Sequence, residues 1–98
     1  MDWRTFLIQQ KGWQDTKGNT VSFSDCDLEG NQTTKKIWIY LDEGFRCGGM
    51  HRAVENRLDA IKEALCGCGK TELWQCICDS MEGANIHVCR EIDRSTNT

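Results

Sequence analysis

Apolar and polar residues alternate most plainly between Lys36 and Leu41, where Ile37, Ile39 and Leu41 fall on one side and Trp38 and Tyr40 on the other. That pattern predicts a β-strand. Val21 to Leu28 reads as a second strand, with Val21 and Phe23 facing inward. Glu29-Gly30-Asn31 supplies the turn between them, so the two form a hairpin. A second hairpin is expected between Leu73 and Ile92, with Glu82-Gly83 at the turn. Counting outward from that turn sets Cys76 against Cys89 and Cys78 against His87.

Between the hairpins the period changes. Ala53, Val54, Leu58, Ile61 and Leu65 recur at helical spacing, which predicts an amphipathic helix from about Met50 to Leu65. Gly67 and Gly69 stop it. Asp42 to Gly49 is expected to be a loop. Near the start, Trp3, Phe6 and Leu7 line one side of a short helix that Asp2 would cap, although the same residues also alternate tolerably as a strand. A turn cluster, Asp15 to Asn19, follows.

The expected fold is therefore α+β: a two-layer domain with a four-stranded antiparallel sheet in the order ββαββ. One amphipathic helix packs on one face, and a short N-terminal helix precedes the sheet. At 98 residues the whole of 1–98 is one domain, with 93–98 a frayed polar tail.

Composition narrows the class. A net charge of −3 lacks the basic patch of a general nucleic-acid binder, and a basic protein surface is the better match. Asp2 and Arg4 interrupt the only early apolar run, and no stretch approaches a membrane span. Seven cysteines would leave one unpaired in a secreted domain, so a reduced cytoplasmic protein is expected. The alternative is a disulfide-bonded secreted form with its signal removed.

The sulfur invites a metal reading. Cys47/His51, Cys66/Cys68, Cys76/Cys78 and His87/Cys89 make four soft-ligand pairs, and Cys66, Cys68, Cys76, Cys78, His87 and Cys89 are the set a zinc ion would draw upon. Same-side neighbours on one strand lie roughly 6.5–7 Å apart, too far to surround an ion through ~2.3 Å bonds to sulfur. No cofactor is therefore expected, with a zinc-stabilised module kept as an alternative. Cys47 followed by His51 suggests a thiol nucleophile, a third reading, but no orienting group or oxyanion site accompanies it.

Two look-alikes fail on inspection. Gly67-Cys68-Gly69-Lys70-Thr71 ends like a phosphate loop, but Ala64 stands where the motif needs glycine, and a helix precedes it. Asp25 to Asn31 opens like a calcium loop, yet Lys36 occupies the twelfth position, where a carboxylate is required.

What remains is a binding surface. Trp38 and Tyr40 are the large anchors an interface favours, and Asp25, Asp27, Glu29, Asp42 and Glu43 form an acidic rim. The leading expectation is a small non-enzymatic protein that binds another protein, of the inhibitor or immunity type made by phages or toxin systems. An unpaired edge strand is also compatible with a homodimer.

Overall fold

A computed structural model describes residues 3–10, 12–42 and 51–81. Helix α1 (Trp3–Gln9) is followed by strands β1 (Trp13–Gln14), β2 (Thr20–Ser24), β3 (Lys36–Leu41) and β4 (His51–Glu55), then by helices α2 (Leu58–Gly67) and α3 (Thr71–Ser80). The strands form one antiparallel sheet in the order β1-β2-β3-β4. The class is α+β with a four-stranded antiparallel sheet. Among the described residues there are three helices rather than two, and the strands all precede α2.

Alternation decides the two sides of the sheet. Val21, Phe23, Ile37, Ile39, Leu41 and Val54 are buried together with Leu7 of α1 and the inner faces of α2 and α3. Phe6, Trp13 and Phe23 meet edge-on or tilted at centroid distances of 6.3 and 5.8 Å, which ties α1 into the same layer. Trp38, Tyr40, His51 and Ala53 have the opposite parity and occupy the other side.

Two expectations are corrected. Leu73 to Asp79 is not a strand but most of α3. Its buried residues are Leu73, Trp74, Ile77 and Cys78, with Met81 just beyond, and these recur at steps of one and three. Steps of that kind make one helical stripe, and the apolar core pulls the segment to that period despite its Ile, Trp and Cys content. The turn at Glu82-Gly83 and the strand from Ile86 lie outside the described residues, as does the tail at 93–98.

The second correction concerns the start of α2. It begins at Leu58, not near Met50, because His51–Glu55 forms the outer strand. Val54 closes over Ile37 and Ala53 sits opposite Trp38, giving β3 a second partner that a helix could not supply. Arg57 is extended (φ −141°, ψ 139°) and separates strand from helix.

At its other end α2 stops as expected. Gly69 takes φ +75°; its N–H bonds to the carbonyl of Cys66, and that of Lys70 to the carbonyl of Leu65. That pair of bonds is a Schellman cap, which glycine favours.

Candidate functional site

The sheet side opposite α1, α2 and α3 carries a short aromatic row. The imidazole of His51 lies between Trp38 and Tyr40, with centroid distances of 6.1 and 6.2 Å and interplanar angles of 30° and 29°. The register makes this arrangement: Tyr40 faces His51, and Trp38 faces Ala53 one step along. Ala53 has no bulk to fill its place, so the three rings can lean together. His51 is exposed and Trp38 half-buried. Tyr40 is only 2% exposed, so it supports the row from beneath rather than offering its own surface.

The Tyr40 hydroxyl donates to the carbonyl of Cys26 at 2.8 Å, anchoring the β2–β3 loop over this side of the sheet. Burial, followed by the nearby Asp27, raises the phenol's pKa and keeps it a donor. The Trp38 indole N–H is buried without an acceptor.

Three of the five acidic candidates lie on that loop. Asp25 accepts from the Gln32 amide at 3.0 Å and from the Cys26 thiol at 3.3 Å, and these donors hold its carboxyl below the usual range. Asp27 accepts from the backbone N–H groups of Glu29 and Asn31 at 2.9 and 2.8 Å. The Asn31 N–H leads in lowering its pKa. Both carboxylates thus build the loop, while Glu29 is exposed and carries only a 3.4 Å contact from Asn31. Asp42 stands at the opposite end of the sheet, 3.2 Å from the Lys70 ammonium, and adopts φ +66°. Glu43 lies outside the described residues.

The same turn is built twice, a repeat that composition did not reveal. Asp15-Thr16-Lys17-Gly18-Asn19 and Asp27-Leu28-Glu29-Gly30-Asn31 both read Asp-x-x-Gly-Asn. In each, the aspartate accepts the N–H groups two and four residues on, and its own N–H bonds to the asparagine carbonyl. Short polar side chains that mimic a backbone turn explain the pattern. The calcium-loop resemblance of Asp25–Asn31 therefore reduces to hairpin closure.

The glycine loop before α3 is likewise closed to anions. It opens a helix rather than the strand expected, but carboxylates crowd that end. Glu72 sits in the first turn of α3 and accepts both the N–H and the hydroxyl of Thr16, at 2.6 and 2.7 Å. Asp42 neutralises Lys70.

The described cysteines do not converge. Cys76 and Cys78, expected on one strand face, are on a helix, where residues two apart diverge. Cys78 is buried, whereas Cys76 is half-buried with its sulfur 3.9 Å from the Gln14 carbonyl. Cys66 and Cys68 pack against the core around the α2 cap. Among the described residues no three His, Cys, Asp or Glu side chains are grouped to hold a metal ion. His87, Cys89 and Cys47 lie outside the described residues. Two thiols are held protonated: Cys26 donates to Asp25, and burial raises Cys76.

Comparison with family models, with curated proteins and with solved structures finds no match for this chain. Among the described residues, no helix is long and apolar enough to cross a membrane.

Proposed function

We propose that the chain is a small non-enzymatic protein-binding factor. It works in the cytoplasm by covering part of a partner protein, as inhibitors and immunity or anti-defence proteins do. The observation that carries this reading is the row Trp38–His51–Tyr40 on the sheet side opposite the helices. Aromatic surface held rigid by stacking loses little side-chain entropy on contact, which is why such residues anchor interfaces. Glu29 and the net charge of −3 favour a partner with a basic surface over a nucleic acid.

The test is affinity capture from a host lysate with wild type, Trp38→Ala and a control altered on the helix side, Gln75→Ala. A stoichiometric partner retained by wild type and the control, but lost with Trp38→Ala while the far-UV spectrum is unchanged, supports the reading. Equal capture by all three removes its basis.

A further inference from the structure

The two edges of the sheet are finished differently. β1 has two residues and is covered by α3: the Trp13 indole donates to the Ser80 hydroxyl at 2.6 Å, and Cys76 reaches the Gln14 carbonyl. β4 is five residues long, and among the described residues its outer edge has no strand partner. Its sequence, His-Arg-Ala-Val-Glu, has no proline or lysine, and its two charged residues, Arg52 and Glu55, are of opposite sign, so a partner strand can be matched to them. Beside it runs a groove of about 260 Å³ between β4 and α2, floored by Ala60 and Ala64 and flanked by Arg52, Glu55 and Glu63.

We propose that this edge pairs with the β4 edge of a second copy of the chain, in an antiparallel, two-fold arrangement centred on Ala53. Charge and parity both favour a second copy. The first half of β4 carries His51 and Arg52, while the second half ends in Glu55, with Glu63 beside it on α2. An antiparallel copy lays the basic half on the acidic half in both directions, as an isologous interface requires.

Keeping both helix layers on one side of a continuous sheet requires odd-numbered residues to face odd-numbered ones. Centring on Ala53 meets that condition and pairs the full strand. His51 then faces the second copy's Glu55, where an imidazole N–H can donate to a carboxylate. Arg57 holds Oε2 of Glu55 at 3.0 Å, and among the described residues Oε1 is left for the contact. On the helix side the second copy's Arg52 lies over Val54, at the mouth of the groove. The small side chains of Ala60 and Ala64 leave room for its stem there. The trio Trp38–His51–Tyr40 would run on from one copy to the other, so this dimer would double the face proposed for binding without consuming it.

Sedimentation velocity across a concentration series tests the arrangement, with wild type, Glu55→Lys and the double variant His51→Glu/Glu55→Lys. These positions are exposed, so far-UV circular dichroism is expected to be unchanged in all three. Wild type is expected to dimerise with a dissociation constant of roughly 10–100 μM, in keeping with a small strand-edge interface. Glu55→Lys should weaken it about tenfold, because both symmetry-related contacts lose their attraction, and the double variant should recover it with the signs exchanged. Wild type that stays monomeric up to about 1 mM, a dimer indifferent to Glu55→Lys, or no recovery in the double variant would each overturn the proposal.

Discussion

Gly12 should be the most sensitive glycine among those described. It sits between α1 and β1 at φ +129°, a conformation that side chains rarely adopt. A Cβ there would lie 2.6 Å from the backbone carbonyl oxygen of Val21 and 3.2 Å from the Ser22 hydroxyl. The hydroxyl can rotate away. The carbonyl belongs to β2, whose register with β1 and β3 is fixed, so it cannot.

Backbone strain of this kind costs about 1–3 kcal/mol, and relieving the overlap adds a cost comparable to overpacking, ~1–3 kcal/mol. The loss of freedom in the unfolded chain offsets about 0.4–1 kcal/mol. Gly12→Ala should therefore destabilise by about 1–5 kcal/mol. For a domain of this size each kcal/mol lowers Tm by roughly 4–8 °C.

Gly67 is the internal control. It closes α2 without a positive φ, and a Cβ there meets nothing within 4 Å. Gly67→Ala should stabilise by about 0.5–1 kcal/mol through helix propensity. Thermal and urea unfolding of both variants decide the matter. A Gly12→Ala protein within about 0.5 kcal/mol of wild type would refute the reasoning, since substitutions away from special positions fall in that range.

Ile77→Ala should cost about 2–5 kcal/mol by urea unfolding, because Ile77 is fully buried on α3, whereas Gln75→Ala on the exposed face should change little. Acid should weaken the fold through the turn carboxylates Asp15 and Asp27 and through Glu72, which holds Thr16. In Asp15, hydrogen bonds from Asn19 and Lys17 overcome burial, which alone would raise the pKa, so it is lowered. The backbone N–H of Asn31 lowers Asp27, and that of Thr16 lowers Glu72. Groups with depressed folded pKa contribute stability that is present above the unfolded values, near pH 4, and is lost as pH falls through the folded ones. Tm should therefore be level above about pH 5 and drop below about pH 4, and Asp27→Asn should make that drop shallower.

Much of the sheet was legible in the chain. β2 and β3 announce themselves because one side of each must meet a core, and period two follows from that alone. The glycine stop after α2 was equally plain, since Gly69 supplies the left-handed residue the cap demands. The two misread stretches share a cause. Leu73–Asp79 satisfies both periods, and its β-favouring residues point to the wrong one until Met81 extends the helical stripe. His51–Glu55 has one buried residue, Val54, so its partner β3 determines its form more than its own pattern does.

The candidate site was partly visible. Tyr40 and the β2–β3 loop lie together. The place of His51 beside Trp38 and Tyr40 was not apparent, because it depends on a cross-strand register that no local pattern encodes. The acidic residues were easy to find but hard to interpret. Asp-x-x-Gly-Asn occurring twice was the available sign that Asp27 serves a turn.

Each strand of this sheet pairs with its immediate neighbour in sequence, and among the described residues the two longer helices follow all four. During synthesis the meander can therefore close hairpin by hairpin as it leaves the ribosome, with little loop entropy to overcome. Its greasy side, from Val21 to Val54, has only α1 against it until α2 and α3 have emerged. A chain cut after residue 57 would present this meander without α2 and α3 over it, the form most prone to self-association.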